Sequence, residues 1–356
     1  MNILIAMSGG VDSSVAAGLL ASDPENRCIG CTMKLYDNED AGVPASHTCC
    51  SLSDVEDARA VAFRLGMPYY VFNFSEDFRE KIIDKFIGCY LRAETPNPCI
   101  DCNRFMKFDK LLDRAEALDC SHVATGHYVR VEKSADGFLL KKAVFEEKDQ
   151  SYVLYMLGQD QLSRLLFPLG GLQKAQVREL ARQYAPNVAA KPDSQDICFV
   201  PDGDYAKIIE LHTGVKAEPG DFVDLSGRVL GRHEGIIRYT IGQRRGLKLP
   251  MGERVYVTDI DPRSNTVVLG PDEALYHREV LIKELNWTLG SAPSKEFRCA
   301  AKIRYRHREQ PALASVQEDG TVLLTFDEPQ RAATPGQAAV LYQGDVVLGG
   351  GVIKRV

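Results

Sequence analysis

A strand pattern, a glycine turn and a helix start, all within the first twenty residues, constrain the fold more than any other feature. Residues 2–7 are an apolar run, typical of a strand that is buried on both faces. Residues 8–10 form a Ser-Gly-Gly turn, and Asp12 and Ser13 then begin an apolar helix. Glycine permits a sharp turn and lets the backbone approach a ligand closely. Because unpaired amide groups and the positive end of the helix dipole face one point, we predict a phosphate-binding site there.

This loop does not follow the two commonest phosphate-binding patterns. The kinase and GTPase loop requires G-x-x-x-x-G-K-[ST], and residues 8–14 contain no lysine. The dinucleotide fingerprint G-x-G-x-x-G is also absent here. The remaining pattern, S-G-G-V-D-S, resembles the pyrophosphate loop of the ATP pyrophosphatase family, whose members split ATP into AMP and pyrophosphate. The resemblance implies that an oxygen atom is activated by adenylation.

Strand and helix patterns alternate through the next hundred residues. Apolar runs at residues 28–35 and 69–74 predict strands, and amphipathic runs at residues 55–65 and 78–91 predict helices. This βαβαβα order predicts a parallel sheet covered by helices. We therefore expect an α/β N-terminal domain. The resemblance to the ATP pyrophosphatase family implies that its fold is adenine nucleotide alpha hydrolase-like.

The second half of the chain has a different pattern. From residue 220 onward, short strand patterns alternate with tight turns, which predicts two small β-rich modules, the last a β-barrel. A length of 356 residues also exceeds one ordinary domain. We expect domains at residues 1–203, 204–275 and 276–356, with the catalytic part first.

Charge and hydropathy limit the partners of this chain. A net charge of −6 argues against indiscriminate nucleic-acid binding but permits a local basic patch. Residues 302–308 alternate basic and other residues, so a strand here would place its cations on one face, either for phosphate contact or as a solvated edge. No run approaches 18 apolar residues and the first residues enter a core strand. We therefore expect no membrane-spanning helix, no signal peptide and a cytoplasmic location.

Ten cysteines in such a chain favour catalytic, metal-binding or buried thiols over a disulfide framework. Cys99 and Cys102 form a C-x-x-C on a predicted loop with two prolines, before a helix expected from about Arg104, and Cys198 lies in a second polar segment. A zinc site would lack a ligand, and three inert thiols would be unusual among such polar neighbours. Sulfur transfer would use one thiolate to carry a persulfide and another to resolve it as a disulfide.

Several separated motifs, in this order and spacing, resemble those of the bacterial tRNA-specific 2-thiouridylases over essentially the whole chain. Besides the loop, they are N-P-x-x-x-C-N at 97–103, A-T-G-H at 124–127, K-D-Q-S-Y at 148–152, D-S-Q-D-I-C-F at 193–199, Y-T-I-G-Q-R-R-G at 239–246 and T-P-G-Q at 334–337. The resemblance implies 2-thiolation of the wobble uridine in tRNAs for Lys, Glu and Gln. It implies ATP and Mg²⁺ as cofactors and the last domain as a tRNA-binding one.

The resemblance also implies roles for individual residues. Cys198 would bear a persulfide delivered by a sulfur carrier or cysteine desulfurase, and Cys102 would be the nucleophile or resolving partner. ATP would be held by Ala6, Met7, Ser8, Gly9, Gly10, Val11, Asp12, Ser13, Met33 and Gly126. The anticodon arm of the tRNA would contact Asn97, Pro98, Cys99, His127, Lys148, Asp149, Gln150, Arg304, Tyr305 and Gln337.

One position departs from the family pattern, in which Asp is common where this chain has Cys99. Cys99, Cys102 and Cys198 therefore make a three-thiolate set, which in a 4Fe–4S cluster leaves one iron open to bind sulfur. The persulfide and cluster routes use the same residues, and the sequence does not choose between them. No other metal site is predicted.

Two other classes of function remain as alternatives. A pyrophosphate-loop ligase acting on a small molecule would explain the loop but not the thiols or the basic β-rich half. A non-catalytic protein that binds RNA or a cluster would not need an ATP loop. Exchange between ATP and pyrophosphate that depends on tRNA separates these hypotheses.

Overall fold

The computed structural model describes residues 1–37, 52–192, 197–200, 202–250 and 252–355. The first half of the chain supplies seven strands. They are β1 (Asn2–Ala6), β2 (Arg27–Lys34), β3 (Tyr69–Asn73), β4 (His122–Ala124), β5 (Val129–Ser134), β6 (Gly137–Lys142) and β7 (Leu165–Leu166). Five of them form a parallel sheet in the order β3-β2-β1-β4-β7, so the strand that precedes the glycine loop is central.

Helices cover both faces of this sheet. Those of the described residues are α1 (Val11–Ala21), α2 (Leu52–Arg64), α3 (Ser75–Phe78), α4 (Asp84–Leu91), α5 (Pro98–Asp101), α6 (Leu111–Ala117), α7 (Gln159–Leu162), α8 (Lys174–Tyr184) and α9 (Tyr205–Thr213). Wider π-helical turns at Arg79–Ile83 and Cys102–Lys110 join α3 to α4 and α5 to α6. The second of these two composite helices carries the C-x-x-C.

Both faces of β1 are buried, as its continuous apolar run predicts. Ile3 packs in a cluster with Cys28 and Val61 of α2, and Leu4 packs on the other face with Cys31 and Phe86 of α4. The two cysteines of β2 therefore point to opposite faces, which is what their three-residue spacing in a strand requires.

The second half of the chain forms two β-rich modules. The central one is a sheet ordered β10-β11-β8-β9, with β8 (Gly220–Asp224), β9 (Val229–His233), β10 (Tyr256–Asp261) and β11 (Thr266–Gly270). The last comprises β12 (Tyr276–Trp287), β13 (Glu296–Lys302), β14 (Gln310–Val316), β15 (Val322–Arg331), β16 (Ala338–Gln343) and β17 (Val346–Ile353). Because β12 pairs with both β15 and β17, these six strands close into a barrel. The predicted fold class is confirmed.

The hairpin of β5 and β6 leaves the parallel sheet and joins the barrel. β6 pairs with β17 through Lys141 and Val346, and the amide of Lys142 donates to the carbonyl oxygen of Asp345 at 2.8 Å. Part of the N-terminal half is thus built into the C-terminal sheet.

The prediction that residues 95–103 are a loop, with a helix from about Arg104, was wrong from Pro98 onward. Helix α5 begins at Pro98, where proline leaves no amide unsatisfied and its fixed φ suits a first helical turn. Asn97 caps this helix, because its side-chain oxygen accepts from the amide of Cys99 at 3.2 Å. Cys99 therefore lies in the first turn, and Cys102 lies one turn inside the helix.

The prediction of a basic strand over residues 302–308 was also wrong. β13 ends at Lys302, and its Ala301 pairs with Gln310 of β14, so the chain must reverse between them. Residues 303–309 form this hairpin loop, and Lys302, Arg304, Arg306 and Arg308 do not share one strand face. In the described parts of the chain, no helix combines the length and apolar character needed to span a bilayer.

Candidate active site

A cavity of about 380 Å³ lies at the carboxyl ends of β1, β2 and β4. In open α/β sheets this edge is where ligands bind. Its wall includes the glycine loop, the end of β2, the start of the α5 helix, the end of β4 and residues 197–199. The predicted site residues that line it are Ala6, Met7, Ser8, Asp12, Ser13, Met33, Pro98, Cys99, Cys102, Gly126, His127, Gln150 and Cys198. The nucleotide loop and all three thiols of interest therefore share one cavity, whereas residues 193–196 of the last motif lie outside the described residues.

Hydrogen bonds within the loop fix its shape. The amide of Ser8 donates to Oγ of Ser13 at 3.1 Å, and Oγ of Ser14 donates to the carbonyl oxygen of Gly10 at 2.8 Å. Gly10 is the residue before α1, and glycine has no side chain that could cap the helix or occupy the anion position at its start.

Two glycines are required by close backbone contacts. Gly9 has φ +72°, and a Cβ atom there would lie 2.2 Å from the carbonyl oxygen of Asp54. A Cβ atom on Gly126 would lie 2.7 Å from the amide nitrogen of Ser13. The end of β4 therefore packs directly against the backbone of the loop, which explains why a residue so far along the chain belongs to the site.

Asp12 is held by two donors from distant segments. The hydroxyl of Tyr128 donates to its Oδ1 at 2.8 Å, and Nζ of Lys174 lies 2.7 and 2.8 Å from its two oxygens. The sequence reasoning missed Lys174, since its pattern shows only an amphipathic helix.

Lys191 holds the other side of the loop. Its Nζ donates to the carbonyl oxygen of Gly9 at 3.0 Å and forms ion pairs with Asp54 at 2.8 Å and Asp57 at 2.6 Å. Partial burial lowers the pKa of Lys191, but the hydrogen bonds to the two carboxylates outweigh it, so the pKa is raised overall. Lys191 therefore stays charged at neutral pH and ties the loop to α2.

The thiols differ in exposure. Cys99 is exposed, whereas Cys102 and Cys198 are partly buried against the core. The hydroxyl of Tyr36 donates to the carbonyl oxygen of Cys198 at 2.7 Å, which fixes the backbone of that segment.

Two further residues of the same helix line the cavity. The buried Asn103 donates through Nδ2 to the carbonyl oxygen of Val153 at 3.0 Å, which holds the helix in place. Lys107 brings a cation into the cavity wall. The sequence analysis did not identify Lys107, although positions 99, 102, 103 and 107 have the spacing of one helix face. That signal appears only once the helix is known to begin at Pro98.

His127 is a buried, neutral group. Its Nδ1 lies 2.7 Å from Oγ1 of Thr125, and its ring packs against Phe108 and Phe167. Burial lowers the pKa of His127 well below its ordinary value, and the positive charge of Lys107 lowers it further. At neutral pH it is therefore a hydrogen-bonding group and not a cation.

The three cysteines do not form a metal site. Among the described residues, no group of three or more His, Cys, Asp or Glu side chains is placed to hold a metal ion. Cys99, Cys102 and Cys198 share the wall of the cavity without being grouped around the position of a single ion.

Several residues that the resemblance assigns to tRNA make contacts within the protein. Oε1 of Gln150 accepts from the amide of Tyr128 at 2.9 Å, and Asp149 accepts from the hydroxyl of Ser151 at 2.6 Å. The ring of Tyr305 is 5.8 Å from that of Tyr152.

Arg304 and Gln337 are also used internally. Nη2 of Arg304 donates to the carbonyl oxygens of Ile241 and Ala332 at 3.0 Å and to the hydroxyl of Thr334. Nε2 of Gln337 donates to the carbonyl oxygen of Thr95 at 2.7 Å. Both residues lie outside the cavity wall.

A parallel sheet, a glycine loop before a helix and a cavity at the carboxyl ends of the strands define a nucleotide-binding α/β protein of the pyrophosphate-loop class. Family models agree along the chain: the tRNA methyl transferase HUP domain matches residues 1–202, the tRNA methyl transferase PRC-barrel domain residues 208–271, and the aminomethyltransferase beta-barrel domain residues 277–353. The chain belongs to the tRNA-specific 2-thiouridylase family, as its relatives show.

Three of those relatives are named tRNA-specific 2-thiouridylase MnmA. The protein from Clostridioides difficile is 48% identical over 99% of this chain and 98% of its own length. The MnmA 2 protein of Caldanaerobacter subterraneus is 50% identical over 99% of this chain and 98% of its own length. The MnmA protein of Acetivibrio thermocellus is 46% identical over 99% of both chains. Among solved structures, the U34-tRNA thiolase NcsA of Methanococcus maripaludis has a TM-score of 0.36 at 16% identity, covering 60% of this chain and 71% of that chain. A similarity this low carries no argument about function.

Proposed function

We propose that this chain 2-thiolates the wobble uridine of tRNAs for Lys, Glu and Gln, with conversion of ATP to AMP and pyrophosphate. The observation that supports it most is a single cavity lined by the pyrophosphate-type loop and by cysteines from two distant segments. Since the substrate is a tRNA, we place the reaction in the cytoplasm.

Adenylation comes first, because the C2 oxygen of uracil is a poor leaving group. That oxygen attacks the α-phosphate of ATP, and pyrophosphate leaves. Amide groups at the start of α1 stabilise the charge that develops on the phosphates. Mg²⁺ is usually held by nucleotide phosphates with one or two carboxylates, and when bound here it would supply positive charge beside the departing pyrophosphate. Asp12 is the carboxylate of the described cavity wall that fits this role.

Sulfur transfer follows in the same cavity. Cys198 carries a persulfide, delivered by a sulfur carrier or cysteine desulfurase, and its terminal sulfur attacks C2 while AMP leaves with the original oxygen. The thiolate of Cys102 then attacks the inner sulfur of Cys198. This breaks the bond between the two sulfur atoms, leaves a thiocarbonyl on the base and forms a disulfide between Cys102 and Cys198. An external dithiol reduces that disulfide.

The target base must leave its stack to enter the cavity. We propose that four residues surround the base there. Pro98, Cys99 and His127 line the cavity, and Asn97 caps the adjoining helix. Lys148, Asp149, Gln150 and Tyr305 are proposed to contact the anticodon arm.

Exchange of labelled pyrophosphate into ATP tests the proposal. Exchange should require tRNA, disappear in Asp12→Ala and persist in Cys198→Ser, because the thiol acts after adenylation. Exchange without tRNA would instead indicate a small-molecule ligase, and no exchange under any condition would contradict an adenylating enzyme.

A further inference from the structure

Thr95, just before the thiol-bearing helix, is held by the C-terminal barrel. Its amide donates to the carbonyl oxygen of Pro335 at 2.8 Å, and its carbonyl oxygen accepts from Nε2 of Gln337 at 2.7 Å. The same Nε2 lies 3.5 Å from the carbonyl oxygen of Pro96. The barrel therefore satisfies both backbone groups of one residue, as a neighbouring strand would.

The turn that makes these contacts is itself closely fitted. Gly336 has φ +89°, and a Cβ atom there would lie 2.9 Å from the amide nitrogen of Thr95. Thr334 is only 1% exposed, and its hydroxyl accepts from Arg304. Arg304 also donates to the carbonyl oxygen of Ile241 in the central module. Arg304 therefore connects the turn at residues 334–337 to that module.

Short chain distances connect this contact to the thiols. Thr95 is two residues before Asn97, whose side chain caps α5 at the amide of Cys99. Cys102 follows one helical turn later. With Pro96 and Pro98 between, the connecting backbone has little freedom to absorb a displacement. A shift at Thr95 is therefore passed on to Cys99 and Cys102.

We infer that Gln337 is a positioning residue for the thiol-bearing helix, acting through Thr95. This inference rests on the proposed function, in which that helix supplies the reacting thiol. The barrel thereby sets the position of Cys102 relative to the nucleotide loop.

Gln337→Glu tests the inference, since the substitution keeps the size of the side chain and removes its donor. Gln330→Glu is the matched control, because Gln330 is on the same barrel and its Nε2 donates to the carbonyl oxygen of Glu328 in its own strand, at 2.8 Å. The full-length variants are alkylated with iodoacetamide without tRNA, and the rates at Cys99, Cys102 and Cys198 are followed by peptide mass spectrometry. Affinity for unmodified tRNA and the melting temperature are measured in parallel.

We expect Gln337→Glu to change the alkylation rates of Cys99 and Cys102 by roughly fivefold, the factor expected when one ordinary hydrogen bond is lost. The alkylation rate of Cys198 should stay within about twofold of the wild type. Unchanged alkylation with weakened tRNA binding would overturn the inference in favour of a tRNA contact. A parallel rise at all three cysteines with a lower melting temperature would overturn it in favour of general stability.

If Gln337→Glu does not fold, Gln337→Met serves, since it also removes the donor but adds no charge. Neither the alkylation rates nor the tRNA affinity depend on catalysis. Failure of the inference is therefore distinguishable from failure of the proposed function, which exchange and thiolation assays report.

Discussion

Single side chains around the glycine loop are held by partners that lie far away in the sequence. Asp12 is paired with Lys174, and the carbonyl oxygen of Gly9 with Lys191. The sequence predicted Asp12 and Gly9 from a local pattern, in which residue type and spacing are themselves the signal. Lys174 and Lys191 have no such pattern, because only the packing of α8 and of the chain after it brings them to the loop.

Lys174→Met should impair adenylation. Asp12 would keep the hydroxyl of Tyr128 but lose its cationic partner, and hydrogen bonds to charged groups contribute about 1.5–3 kcal/mol. We expect kcat/KM for pyrophosphate exchange to fall roughly tenfold or more. Lys207→Met is the control, since its ion pair with Asp202 is exposed, and an equal loss in both variants would contradict the assignment.

His127 should make the fold less stable in acid. Burial lowers the pKa of His127 in the folded protein, so below about pH 6.5 the unfolded chain binds the extra proton and the free energy of unfolding falls. Urea unfolding at about pH 7.5 and pH 5.5 should therefore show a larger loss of stability in the wild type than in His127→Gln. Equal losses would mean that His127 does not titrate differently in the two states.

Secondary-structure elements were predictable where hydrophobic periodicity decides them. The pattern predicted β1, α1 and α2, because their apolar faces are buried as expected. It failed at Pro98, where a proline that can end a helix instead begins one, and at residues 303–309, where alternation of charge occurs in a hairpin loop. In both places, pairing and capping outweigh the local pattern.

Gly126→Ala should disturb the contact between β4 and the start of α1. A methyl group 2.7 Å from the amide of Ser13 must displace the loop that we propose binds ATP. We expect a loss of ATP binding, measured by titration calorimetry, with folding retained. Gly171→Ala is the control, because nothing lies within 4 Å of its added Cβ atom; normal ATP affinity in Gly126→Ala would contradict this explanation of the glycine.

The whole molecule joins three modules, and the residues that line the cavity all come from the first of them. The sequence indicated an α/β half and a β-rich half, but no pattern shows that the β5–β6 hairpin completes the sheet of the barrel or that residues 334–337 hold Thr95. These contacts join segments more than 200 residues apart, and complementary surfaces specify them. The barrel thus holds the segment that precedes the thiol-bearing helix, and it is also a proposed surface for tRNA.

A single turnover gives the most direct test of the claim that adenylation and sulfur transfer occur in one cavity. Protein carrying a labelled persulfide is mixed with ATP and unmodified tRNA, and thiouridine and disulfide-linked peptides are quantified together. We predict one disulfide between Cys102 and Cys198 for each 2-thiouridine that is formed. Cys198→Ser should form neither the disulfide nor 2-thiouridine, and Cys99→Asp should retain activity. Normal 2-thiouridine in Cys198→Ser or Cys102→Ser would contradict the account.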